Sequence, residues 1–411
     1  VIGSISLSAP DFTFHNGYCR ALRVCILALL ILLGGCANLS DITGAHFTDL
    51  FSGDEDEVEI DEAELAELQT LAPIKLLWQG KLSEESKTAV FLPVYDNGAL
   101  YAADEDGRLI KLDPATGREI WRVDTKSQLS GGVGTGGGMI LLGTYKGEVL
   151  AFDEAGNALW QSQVPSEILS PPQTDNGIVV VRTGDSRLYG LNAADGKQIW
   201  SYQGVTPPLT VRSFVGVSIT RGAIFAGFPG GKLIALDLFT GNVGWEATVS
   251  QPHGVTELER MTDISSLPIV DENQVCAVAY RGRAACFEIS NGNQIWARDA
   301  SSSAGMVMDN SHVYISEEHG TVAAYDKSSG AAVWKRGKLG SRKLSALMVA
   351  RGTRLIVGDD QGYVTLISRQ DGSLLSRAPT DGSAISSRAE YLPDGFVVQT
   401  HKGGLFAFSL Q

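Results

Sequence analysis

The chain has 411 residues, with 47 acidic against 33 basic residues, a formal net charge of −14 and 44% hydrophobic residues. That length can bury a large core. With no basic stripe, this composition excludes a nucleic-acid-binding surface.

In chain order, residues 1–19 resemble an upstream start-site extension with no structural role. Arg20 and Arg23 then precede an apolar run, Val24 to Leu33, which ends in Leu33-Gly34-Gly35-Cys36. A basic segment, a short apolar segment and small residues before a cleavage point make a secretory signal. The run is too short to span a bilayer as a helix. A Cys directly after Leu-Gly-Gly resembles the bacterial lipobox, in which Cys36 becomes the lipidated first residue. Ala37 after it, by resemblance to enterobacterial-type sorting, implies release to the outer membrane. Residues 1–35 therefore read as extension and signal peptide.

Residues 36–72 read as a lipidated Cys and a flexible tether. Positions 37–72 hold 11 acids and neither Lys nor Arg, whereas 73–411 hold 35 acids and 31 bases. A segment this acidic buries too little apolar surface to fold alone.

From residue 73 to 411 the chain is a repeat. All seven tryptophans fall at one phase of it: Trp78, Trp121, Trp160, Trp200, Trp245, Trp296 and Trp334. Four of them close the same phrase: Asp113-Pro-Ala-Thr-Gly117-Arg-Glu-Ile-Trp121, and its counterparts from Asp153, Asp237 and Asp326. A second phrase, Gly107-Arg-Leu-Ile-Lys-Leu-Asp113, recurs from Gly147, Gly231, Gly282, Gly320, Gly362 and Gly403, with Ser186 in the glycine slot of a further copy. A period near 40 residues marks a repeat architecture. Within each unit, about four short runs rich in Val, Ile, Leu and Tyr are broken by Asp-Gly, Asn-Gly or Ser-Gly, as strands joined by tight hairpins are. Four strands per unit is the propeller blade.

The expected fold is all-β: an eight-bladed β-propeller of four-stranded antiparallel blades. The outer-strand slots run from Trp78 to Ser376, and the third-strand phrases from Gly107 to Gly403. The chain thus begins with an outer strand and ends without one. The Trp78 strand should complete the last blade and close the ring, which protects edges that an open sheet would expose. Each Trp should fill a blade-to-blade contact, its body buried and its N–H bonded. Ser376 stands in the eighth Trp slot, so that junction is expected to pack least well.

Of five cysteines, Cys19 and Cys25 leave with the signal and Cys36 is the anchor. Cys276 and Cys286 lie on two strands joined by a turn. Register decides whether they form a disulfide or sit as two small buried residues. Gly132-Val-Gly134-Thr-Gly136-Gly137 matches a dinucleotide fingerprint, but a strand follows where a pyrophosphate needs a helix N-terminus. It reads as a Gly-rich blade edge. No pair of histidines has convincing zinc spacing, and no nucleophile elbow occurs. The expectation is no catalytic residue, no cofactor and no metal.

Two repeats are long. The interval after Trp200 is 45 residues and that after Trp245 is 51, against 38 to 43 elsewhere. The extra residues, Val205 to Val215 and Ser250 to Asp263, both join an outer strand to the next inner strand. They should emerge on one face over adjacent blades, where insertions often mark binding. Leu209, Val211, Phe214 and Met261 beside Arg212, Arg260 and carboxylates give the mixture of a protein interface.

With the lipobox, eight repeats and both loops, the chain resembles the BamB family, the propeller lipoproteins of the outer-membrane β-barrel assembly machinery. The family's first loop carries Leu-x-Leu-Arg, matched by Leu209-Thr-Val211-Arg212. Its second carries Thr-Glu-apolar-Asp-Arg-x-x-Asp-x-Asp, matched from Thr256-Glu257 through Arg260 and Asp263, with Glu259 and Ser265 in place of Asp. The resemblance implies a non-enzymatic scaffold at the periplasmic face of the outer membrane, held by its lipid alone and monomeric within a hetero-oligomeric complex. The implied partner is the periplasmic POTRA region of BamA, contacted by Leu209, Val211, Arg212, Glu257, Arg260 and Asp263, with nascent barrel proteins as a further expected contact. Two other readings compete: a quinone-cofactor dehydrogenase, whose propellers share the Trp repeat, and a periplasmic interaction propeller with another partner. The first needs a longer chain and adjacent cysteines, which this sequence lacks.

Overall fold

In a computed structural model of the protein, the described residues are 74–82, 90–337, 339 and 342–410. The signal segment, Cys36 and the acidic tether lie outside them. The described residues form eight four-stranded antiparallel sheets. Blade 1 holds β2 (Val94–Asp96), β3 (Ala99–Ala103), β4 (Arg108–Leu112) and β5 (Glu119–Asp124). Blades 2 to 7 repeat that order through β29 (Leu374–Pro379). Blade 8 takes β30 (Glu390–Leu392), β31 (Gly395–Gln399) and β32 (Gly404–Ser409) from the end of the chain, and β1 (Leu76–Lys81) from its beginning. Trp78 pairs with Ala407, as the slot count requires.

The hairpins follow their turn residues. Asn97-Gly98 and Asn176-Gly177 both have positive φ at each position, the paired left-handed geometry that suits a twisted two-residue hairpin. The middle strands are buried on both faces, as in the all-buried Ala99–Ala103. The innermost strands of blades 1, 3 and 4 are half-buried. The core is thus not one body. Eight apolar clusters occupy the eight junctions between neighbouring blades.

The tryptophans lock those junctions. Trp78 Nε1 donates to the Pro114 carbonyl at 2.9 Å, Trp200 to Leu238 at 2.9 Å and Trp334 to Arg369 at 3.0 Å. Each acceptor lies in the turn between third and outer strands of the following blade, which ends in a glycine, and the other four tryptophans do the same. The indole body covers the glycine of that turn. A Cβ on Gly117 would stand 2.4 Å from Trp78 Cε3, and one on Gly241 2.6 Å from Trp200 Cε3. These glycines also need φ near +70°, which a side chain disfavours. The two halves of the phrase therefore serve different blades: the Gly receives the preceding Trp, and its own Trp passes forward.

One irregularity recurs. In all eight blades the register between third and outer strands slips by one residue beside the Trp slot. In blade 1, Lys111 faces Trp121 and Leu112 faces Glu119, so Ile120 is the extra residue. This bulge turns Ile120, and likewise Leu159 and Ile199, outward at about half exposure, and it blunts each outer edge.

In the eighth slot Ser376 is buried, and the apolar cluster between blades 7 and 8 holds Phe396 and Phe408, stacked with ring centroids 5.5 Å apart, together with Phe406 and Ile385. An indole there would have no turn to donate to. That turn is the break between β32 and β1.

Cys276 and Cys286 are directly opposite on β19 (Gln274–Val278) and β20 (Arg283–Glu288), fully buried and bridged as a disulfide.

Candidate functional site

The first long loop joins β13 (Gln198–Gln203) to β14 (Ser218–Thr220), and the second joins β17 (Val243–Thr248) to β18 (Ile269–Val270). They meet. Asp263 Oδ2 accepts the Val211 amide at 2.6 Å, and Oδ1 accepts that of Gly230 at 3.0 Å. Ser213 Oγ donates to the Ser265 carbonyl at 3.5 Å. The two insertions thus form one surface.

Asp263 corrects the sequence reading. It is 3% exposed and both its oxygens are taken by amides of its own chain. It holds the loops in place and does not present a charge outward. Burial with two amide donors is a well-compensated site for a carboxylate. Ser265, one of the departures from the family pattern, is likewise buried.

Arg212 is half exposed and already positioned: Nη2 donates to Glu167 Oε2 at 2.9 Å, and the guanidinium lies 5.9 Å from the Tyr145 ring centre. Tyr145 in turn donates to Glu105 at 3.1 Å. Leu209 is 42% exposed beside it, and Val205 84%. Val211 is half-buried through its tie to Asp263. Phe214 turns inward, with Val215, Val217, Leu92 and Leu267, to line a cavity of about 350 Å³ shared by several blades.

In the second loop, Glu259 explains its own departure from the pattern. Its Oε2 accepts the amides of Val255 and Thr256 at 2.8 and 2.9 Å, while Thr256 Oγ1 accepts the Glu259 amide at 3.2 Å. This reciprocal box caps one turn, and those amides hold the Glu259 carboxyl below its usual range. The turn lifts Val255, 95% exposed, and Leu258, 53% exposed, to the surface. Glu257 and Arg260 are exposed on the same turn.

Sequence reasoning missed Glu167, Tyr145 and Arg182. Each comes from an ordinary repeat and meets the loops only in space. Arg182 ends β11 (Ile178–Arg182), with its guanidinium 5.4 Å from the Phe228 ring centre. Burial brings it down to about 10, against the nearby Asp263 charge, which favours the cation. Its Nη1 is buried and meets no protein acceptor.

The Gly-rich strand β6 (Leu129–Gly136) is no phosphate cradle. A Cβ on Gly134 would stand 1.9 Å from the Pro172 carbonyl, and one on Gly131 2.5 Å from that of Ser170. Its glycines let blades 2 and 3 approach.

The profile of the family described as "Outer membrane protein assembly factor BamB" matches residues 105–336 and 318–411. The protein of that name from Nitrosomonas eutropha is 84% identical over 409 residues, covering 100% of both chains. That from Bordetella pertussis is 38% identical over 381 residues, covering 92% of this chain and 95% of its own. Among solved structures, BamB from Moraxella catarrhalis superposes with a TM-score of 0.75 at 24% identity, over 82% of this chain and 100% of that one. A quinohemoprotein alcohol dehydrogenase from Comamonas testosteroni superposes at 0.67 with 14% identity, over 85% of this chain and 78% of that one. At such identities both share the fold.

Proposed function

The chain belongs to the BamB family of outer membrane protein assembly factors, and from that membership we propose a non-enzymatic scaffold that docks the periplasmic POTRA region of BamA through its two long loops. Cys36 carries the lipid that holds it to the periplasmic face of the outer membrane. The propeller is one subunit of the assembly complex and supports barrel folding and insertion there.

The observation that carries this reading is the joined loop surface. Apolar Val205 and Leu209 stand exposed on the loop that carries the pre-positioned Arg212, and Val255 and Leu258 stand exposed on the second loop. Exposed apolar area with charge at its edge is the make-up of an interface core and rim, and arginine is among the residues in which binding energy concentrates. Arg212 keeps donors beyond the one given to Glu167 and can meet a partner carboxylate or carbonyl. Glu257 and Arg260 supply charges at the rim, where they set approach and orientation more than affinity.

The test is binding of purified protein to the periplasmic region of BamA, with a thermal melt as control. Arg212→Glu with Leu209→Ala should lower affinity by about 100-fold or more and leave the melt nearly unchanged. Undiminished binding by that variant would place the docking surface elsewhere on the ring.

A further inference from the structure

Beneath the first loop lies a niche of about 160 Å³, lined by Arg182, Arg212, Glu167, Thr183, Thr210 and Asp263 among others. Its charged groups are two arginines and two carboxylates, and their commitments differ. Asp263 has both oxygens on amides. Glu167 accepts from Arg212. Arg182 is the group with open capacity: its Nη1 is buried and reaches no acceptor of the protein. A buried guanidinium donor left unmatched is costly, so such groups are retained where something else accepts the bond.

The geometry points to Arg182 as a second partner-binding arginine: we propose that one carboxylate side chain of the docked protein enters this niche and is held between Arg182 and Arg212. This rests on the docking function proposed above and names the chemistry that recognises the partner. The volume suits the occupant. A water takes about 30 Å³, so the niche admits an Asp or Glu side chain and is too small for a nucleotide or a folded segment. The planar guanidinium fork matches a carboxylate in shape as well as charge. Leu209 and Val205 stand exposed on the same loop. Covering them would exclude water from the pair and strengthen it.

Two arms test this. In the first, the isolated protein is melted in sodium acetate against sodium chloride at equal ionic strength. Acetate, the free form of the carboxylate, should raise the Tm of the wild type and not that of Arg182→Met. In the second, binding to the periplasmic region of BamA is measured in chloride. Arg182→Met should lose about tenfold in affinity, and Arg182→Lys, which keeps charge but not the fork, should lose less. Acetate should weaken wild-type binding and leave Arg182→Met indifferent. If Arg182→Met does not fold, Arg182→Lys carries both arms. Wild-type protein that binds acetate but not BamA would sink the docking function and keep the niche. Equal acetate response and equal BamA affinity in wild type and variants would overturn the proposal.

Discussion

The indole of Trp200 lies on the backbone of Gly241 in the next blade, with Cε3 2.6 Å from where a Cβ would stand. Its N–H is bonded to the Leu238 carbonyl of the same turn. One residue is the lid and the other the seat. Trp200→Ala should cost about 3–5 kcal/mol. Gly241→Ala should cost about 2–4 kcal/mol, from left-handed strain and overpacking together. In the Trp200→Ala background the Gly241→Ala cost should fall to the strain alone. A double-mutant cycle by chemical denaturation reads this coupling, and strict additivity would show that the two do not share a site.

Asp263 should matter for binding without touching the partner. Asp263→Ala orphans two amides and leaves Arg182 without its nearest counter-charge, at a cost of about 2–5 kcal/mol. Limited proteolysis should find new cleavage between residues 205 and 215, and BamA affinity should fall with it. Lost affinity with an unchanged cleavage pattern would instead favour direct contact.

Acid should loosen the turns that receive the tryptophans. Hydroxyl groups of Ser328 and Ser329 hold Asp326 down to about 2, and those of Ser368 and Ser373 do the same for Asp371. Asp113 and Asp237 are lowered by Thr116 and Thr240 in the same way. The folded values lie below the ordinary 3.8. Their stabilising effect is therefore complete above that value and lost as the pH falls toward about 2. An Asp326→Asn, Asp371→Asn double variant should melt lower than wild type at neutral pH and lose less Tm on acidification. Parallel pH profiles would remove these turns as the cause.

The Cys276–Cys286 bridge closes a short loop that its hairpin already brings together. Replacing both with Ala should cost at most about 2–3 kcal/mol, partly through lost packing of two fully buried groups. The measurement is Tm of wild type and double variant; a loss of folding would mean that the bridge does more than cross-link neighbours.

The repeat was legible because a propeller writes its contacts locally. Trp78 and Gly117 belong to different blades, yet each sits at a fixed place in its own unit, so one period shows both. The blade count and the closing strand followed from the same spacing. The bulge at Ile120 was not legible: Glu119-Ile120-Trp121 breaks strict alternation, and its cause lies in the register of a neighbouring strand. At the candidate site, loop length and composition located the surface and the exposed Leu209 and Arg212. The direction of Asp263 was beyond the sequence. An acid in a polar loop reads as a surface charge until the amides of Val211 and Gly230 are seen to converge on it. Arg182, Glu167 and Tyr145 carry no local mark, because each sits where any repeat residue could sit.

Blade 8 has a temporal consequence. β1 is among the first propeller segments made, and β32, its partner, is the last. Until synthesis is complete, Leu76–Lys81 has no partner, and the growing array has a raw boundary at both ends. Stacked linear arrays solve this with polar terminal repeats. Here the two boundaries annihilate each other, so maturity arrives in one final step, and an unfinished or clipped chain should remain recognisable as incomplete.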